Sequence, residues 1–297
     1  MNTDYKRFKF SAMDELIRGF IGSLRRRETT KETYRKALRE FSKWLGGASP
    51  TVLTSDDIQR YKDYIISKRL SATSMSAYLT AVRRFYDYLV SAGKVRENPG
   101  RKVRGAPRPR RHLTDPISRR DVAKLMNAVD ISSALGRRDA AILGLMVRAG
   151  LSEIEIVRLN LGDLKYRGGQ RVIYVQGKSK DRKDEYVSVT PQTEETLAQY
   201  LKDRGESGPE EPLFRGIGNR AANERISTRG LRARIYHYFE SAGIKKKGIS
   251  PASLRQTAAM LAIEEGATVS EVQRMLRLRT LESALQYFEE ARELMRK

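Results

Sequence analysis

The stretch Arg101-Lys-Val-Arg-Gly-Ala-Pro-Arg-Pro-Arg-Arg111 carries six basic residues in eleven and no acidic one. Guanidinium and ammonium groups at this density do one thing well: they neutralise a row of phosphates and release its condensed counterions. Pro107 and Pro109 remove backbone donors and disfavour helix. The stretch therefore reads as an extended linker whose cations (Arg101, Lys102, Arg104, Arg108, Arg110 and Arg111) track phosphates. Arg274, Arg277 and Arg279 crowd a second segment, and Arg25-Arg-Arg27 a third. Contacts to the nucleic-acid backbone are expected from these as well, against the plainer reading of solvated faces.

The rest of the composition agrees. The chain has 297 residues, with 58 Lys and Arg against 36 Asp and Glu, for a formal net charge of +22. A charge this large opposes compaction unless a polyanion screens it. Cysteine is absent, which excludes disulfides, thiolate nucleophiles and thiolate metal sites. His112 and His237 are the only histidines, so neither a metal centre nor another cofactor is expected. No apolar run approaches the roughly 18 residues that span a bilayer, and Met1 to Phe10 is too charged for a signal peptide. The expectation is a soluble, cytoplasmic, nucleoid-associated protein whose partner is double-stranded DNA and not a membrane.

The elements fall into two blocks around the linker. Before it the pattern is helical throughout: Met13 to Leu24, then Tyr34, Leu38, Phe41 and Trp44, then a helix opened by Thr54-Ser-Asp-Asp57, then Tyr78, Val82, Phe85 and Leu89. After it the pattern is mixed. Ser118-Arg-Arg-Asp121 opens a helix, and Asp139 to Val147 is an apolar one ending near Gly150. Arg171 to Val175 and Glu185 to Val189 are β-branched runs flanking a charged hairpin tip. Thr190-Pro191 and Ser250-Pro251 start further helices, with proline at the first helical position. Residues 1–100 are predicted as a helical domain, 101–113 as the linker and 114–297 as a mixed α/β domain. The fold class is mainly α with a small β-sheet.

In order and spacing, these pieces resemble the tyrosine recombinase (phage integrase, Xer-like) family over nearly the whole chain. Thr33-Tyr34 through Trp44-Leu45, and Ser76 to Leu89 with Asn98-Pro99, are similar to the family's helical, SAM-like core-binding domain. Ala140 to Leu164, the hairpin Val175 to Val189, the box Pro251-Ala-Ser-Leu-Arg-Gln-Thr257 and the stretch Val272 to Tyr287 look like its catalytic domain. The reaction this implies is attack of a tyrosine hydroxyl on a phosphodiester, leaving a 3′-phosphotyrosyl bond and a free 5′-hydroxyl. Negative charge then spreads over the non-bridging oxygens, where bidentate cations help. The nucleophile must lose a proton and the leaving oxygen must gain one.

The resemblance places Tyr287 at the nucleophile, Arg255 at the second arginine and Lys178 at the hairpin lysine that acts as general acid, with Lys180 as its substitute. Four other positions depart from the family pattern: Ser152 stands for the first arginine, Ala252 for the first residue of the box, Gln256 for its second histidine position and Leu278 for the last His or Trp. Ser152 most simply caps the helix after Gly150, with Glu155 completing the cap. Losing one preorganised donor costs on the order of 10²–10³ in rate. Losing a positioned base costs roughly 10²–10⁴. The expected function is therefore a duplex-DNA-binding member of the family, clamping DNA between its two domains in recombination or integration, with lost or impaired cleavage. Self-association on DNA, or service to an active recombinase, accompanies that reading. The alternative is an active site-specific recombinase with a rebuilt pocket, in which Arg148, Arg158, Arg274, Arg277 or Arg279 supplies the missing guanidinium. An RNA-associated basic protein would need aromatic platforms on a sheet, of which the two predicted strands offer little.

Overall fold

The computed structural model describes residues 3–105, 112, 114–177, 180–216, 224–244 and 246–296, with side chains from residue 12 onward. The chain divides into two compact units, Met1–Pro109 and Arg110–Lys297.

The first unit is helical: α1 (Thr3–Ser23), α2 (Glu28–Leu45), α3 (Ser55–Ser67) and α4 (Ala72–Ser91). The expected periodicity is realised, with Leu38, Phe41, Ile58, Tyr61, Val82, Phe85 and Leu89 fully buried in one core. Each of the aliphatic and phenylalanine side chains among these stabilises the unit by roughly 1.5–3 kcal/mol through burial. The start of α3 is a reciprocal cap, in which Thr54 N donates to Asp57 Oδ2 at 2.8 Å and Asp57 N to Thr54 Oγ1 at 3.4 Å. The backbone bond from Thr54, then its hydroxyl and Arg60, hold the Asp57 carboxyl down at about 2.

The exit from α4 departs from a simple linker. Asn98 Nδ2 donates to Arg83 O and to Asp87 Oδ1, both at 2.8 Å. Arg83 in turn donates to the carbonyls of Gly100 and Val103. Val103 is buried in the helical core, and Arg101 pairs with Asp87 at 3.1 Å. The predicted linker therefore begins as part of the first unit, because Arg83 and Asn98 satisfy its backbone and Val103 anchors it. Arg108, Arg110 and Arg111 lie outside the described residues.

The second unit holds α5 (Arg119–Asn127), α6 (Ala134–Arg148), α7 (Glu153–Arg158), α8 (Pro191–Arg204), α9 (Thr228–Ser241), α10 (Pro251–Glu264), α11 (Val269–Met275) and α12 (Leu281–Met295). Helix α6 is its axis and is buried continuously from Arg138 to Val147. The buried Asp139 accepts from Arg138 Nη2 at 2.6 Å, Arg234 Nε at 2.7 Å and Tyr238 Oη at 3.0 Å. A carboxylate this deep is tolerated only when so fully paired. A three-stranded antiparallel sheet of order β1-β2-β3 runs Leu164–Arg167, Gln170–Val175 and Glu185–Ser188. Its register sets Ile173 between Leu164 and Val187. The first strand was not expected, because only Leu164 in it is aliphatic. Its signal is Gly168-Gly169, both at positive φ (55° and 76°), the requirement of a tight two-residue hairpin turn.

Helices α10, α11 and α12 enclose a smaller cluster of Ala259, Met260, Val272, Leu276, Tyr287 and Ala291. The residues of chemical interest gather on this layer and on the turn between α6 and α7.

Candidate functional site

The turn Gly150-Leu151-Ser152 lets the chain reverse from α6 into α7. Gly150 has φ of 61°, and a Cβ there would lie 2.5 Å from Leu276 Cδ2. Ser152 does what its spacing to Glu155 predicts: its backbone N and its Oγ both donate to Glu155 Oε2 at 2.7 Å. Glu155 does more than complete a cap. Buried at 3 % exposure, it also accepts from Arg255 Nη1 at 3.0 Å and from Arg277 Nε and Nη2 at 2.7 and 2.8 Å. Burial pushes its carboxyl up, but the bonds and charge of Arg277, the charge of Arg255 and the Ser152 amide outweigh this and hold it below the ordinary range.

Both arginines also bind backbone carbonyls. Arg255 Nη1 reaches Gly150 O at 2.6 Å, and its other terminal nitrogen reaches Leu276 O. Arg277 Nη2 reaches Gly150 O at 3.0 Å and Nη1 reaches Met275 O at 2.5 Å. Arg277 adopts a left-handed backbone, φ 51°, which disfavours a side chain by roughly 1–2 kcal/mol. The inward guanidinium and its bonds offset this. Its side chain is only 2 % exposed, so the surface phosphate contact expected of Arg277 is not offered in this structure. Arg274 and Arg279 beside it are exposed, as expected.

Tyr287 lies on α12 with its ring buried, 6 % exposed. Burial raises its hydroxyl above the ordinary tyrosine value, the neighbouring Arg255 charge pulls it down, and Glu290 pushes it up again. One face of the phenol is covered by His112, with ring centroids 4.1 Å apart and planes inclined by 35°. Glu290 fixes that imidazole: it accepts from the His112 backbone N at 2.6 Å and lies 2.9 and 3.0 Å from Nδ1. Gln256 Nε2 donates to the same carboxylate at 2.8 Å, and Thr114 Oγ1 donates to Gln256 Oε1 at 3.1 Å.

The structure thus brings Tyr287, Arg255, Gln256 and the Ser152 turn together. Ala252 is exposed on α10, and Leu278 packs against the small cluster. Lys178 lies outside the described residues, so its placement beside Tyr287 is not described. Lys180 pairs with Asp184 and Glu185 at 3.1 and 3.2 Å. Lys102 and Arg104 are exposed. Arg148 Nη1 sits near Gly144, beside Thr193 of α8. His112, Glu290 and the double role of Glu155 were not anticipated. Glu290 carried a signal, standing three residues after Tyr287 on one helix face. His112 carried none, being remote in sequence. Among the described residues there is no cluster suited to a metal ion, and no helix is long and apolar enough to cross a membrane.

Comparison with known proteins follows the same division of the chain. Residues 116–293 match the model of the phage integrase family, and residues 15–93 match the phage integrase N-terminal SAM-like domain. Tyrosine recombinase XerD of Lacticaseibacillus casei is 30% identical, over 84% of this chain and 83% of its own length. Tyrosine recombinase XerC of Thermodesulfovibrio yellowstonii is 32% identical, over 83% and 81%. Among solved structures, the XerH site-specific recombinase bound to palindromic difH substrate superposes with a TM-score of 0.74 at 16% identity, covering 89% of this chain and 77% of that one. A lambda integrase dimer bound to a COC′ core site gives 0.69 at 15% identity, covering 92% and 95%.

Proposed function

The chain belongs to the phage integrase family of tyrosine recombinases, and from that premise we propose that it binds duplex DNA in recombination or integration with strand cleavage lost or greatly slowed. One observation carries the reading. Where the family resemblance calls for a phosphate-binding arginine, Ser152 is a helix cap, and its partner Glu155 engages both nearby guanidiniums. A phosphate entering beside Tyr287 meets Arg255 already committed to Glu155, Gly150 O and Leu276 O. The raised Tyr287 hydroxyl acts in the same direction, since burial opposes the phenolate that must attack. The DNA-bound relatives support duplex DNA as the partner, and the +22 charge supports strong backbone contact. In this reading Arg255, Lys102, Arg104, Arg274 and Arg279 contact phosphates, and the protein works at the nucleoid, assembled on DNA with itself or with an active recombinase.

The test is incubation with a nicked suicide substrate carrying the bound site. Duplex binding without a covalent protein–DNA adduct is expected. An adduct that accumulates in the wild type and vanishes in Tyr287→Phe would overturn the loss of cleavage.

A second reading keeps the chemistry. The Arg277 guanidinium sits at the Ser152 turn itself, through Gly150 O and Glu155. If DNA draws it off Glu155, it supplies the missing cation from another helix. The same adduct assay in Arg277→Ala, read at equal folded fraction, separates the two readings, because only a rebuilt pocket then loses an adduct on that change.

A further inference from the structure

The box and the segment before Tyr287 have no histidine, yet an imidazole lies against the phenol, contributed by His112 from outside both. Its position is built, not incidental. The Glu290 carboxylate, 7 % exposed, holds His112 at its backbone and at Nδ1, and is itself held by Gln256 and, more distantly, by Gln286 at 3.5 Å. Gln256 is tied to Thr114, two residues beyond His112. Three parts of the chain therefore close on one ring: His112 with Thr114, α10 and α12. The Glu290 carboxylate faces Nδ1, so this side of the imidazole is occupied in bonding to α12. What it presents to Tyr287 is its face, at a separation suited to ring stacking.

We propose that His112 is a positioning residue for Tyr287, with Glu290 as its anchor: the stacked imidazole walls the phenol so that its hydroxyl stays beside Arg255. The inference rests on the proposed function in taking Tyr287 as the residue that faces the DNA strand. It assigns a use to Gln256, a departure from the family pattern, as part of the tether rather than as a proton donor or acceptor.

The role is tested on the DNA-free chain, so the result is independent of whether DNA binds. Tetranitromethane nitrates accessible phenols, and peptide mass mapping reads the rate at each tyrosine. In His112→Ala, nitration of Tyr287 rises several-fold, while Tyr200 and Tyr238, buried in the same unit, keep their wild-type rates. His112→Phe retains an aromatic face and restores most of the protection. Equal Tyr287 rates in wild type and His112→Ala would overturn the proposal. So would equal acceleration at all three tyrosines in both variants, which reports general loosening, and so would a His112→Phe rate matching that of His112→Ala.

Discussion

Arg277 closes on Glu155 with two parallel bonds, Nε to Oε1 at 2.7 Å and Nη2 to Oε2 at 2.8 Å, both side chains being almost wholly buried. A pair in this setting is weak evidence of net stabilisation, yet breaking it by deleting one partner is expensive. Arg277→Ala is expected to lower the stability of the second unit by about 3–5 kcal/mol, because Glu155 then keeps only Arg255 as a charged partner. Urea denaturation followed by circular dichroism checks it. A loss well under 1 kcal/mol would mean that Arg255 and the Ser152 amide alone compensate the buried Glu155 carboxylate.

Acid should weaken both units through identified carboxyls. Glu155 is held below its ordinary value of 4.5, so its contribution is complete above that pH and is lost as pH falls through its lower folded value. Asp57 behaves likewise from its ordinary 3.8 down to about 2. Asp57→Asn is expected to flatten the acid dependence of the first unit and Glu155→Gln that of the second, with Glu155→Gln less stable than the wild type where Glu155 is ionised and the gap closing in acid. Urea midpoints between about pH 6 and pH 2 read both effects.

Gly150→Ala should destabilise the second unit beyond the roughly 1–2 kcal/mol of a left-handed side chain, since its Cβ would meet Leu276. Leu276 also carries the carbonyl bonded by Arg255, so the same change disturbs the cation beside Tyr287. Thermal melting checks the first effect. Weaker duplex binding than the wild type at equal folded fraction checks the second.

Duplex affinity should fall steeply with salt, with a log–log slope of about −0.9 per phosphate neutralised. Replacing Lys102 and Arg104 together by alanine should make the slope shallower by up to about 2. Arg255→Ala should weaken binding modestly. Titrations at several salt concentrations measure all three, and an affinity flat in salt would defeat the electrostatic reading.

The difference between what sequence revealed and what it hid is one of range. Ser152 and Glu155 stand three apart at a helix start, and local hydrogen bonding alone predicts their cap. That Glu155 also binds Arg255 and Arg277 depends on α10 and α11 being folded against the same turn, which no local pattern encodes. Arg277 looked like a surface cation because nothing in Arg274 to Arg279 announces an inward side chain on a left-handed backbone. His112 escaped for the same reason, its partner Glu290 lying on the last helix. Strand β1 was a different failure. Gly168-Gly169 marked its turn, but Lys165, Tyr166 and Arg167 lack the alternation that marks a half-buried strand.

The fastening of the segment after α4 changes how its charges meet a ligand. Arg83 and Asn98 hold the backbone from Asn98 to Val103, and Val103 is buried. Arg101 and Lys102 therefore project from a backbone whose ordering was completed during folding. An anion that meets them has only their side chains left to immobilise, at about 0.5–1.5 kcal/mol each, and no backbone to straighten. The first cations of the basic stretch are thus preorganised, and their entropy loss on binding is smaller than that of the same residues on a free coil.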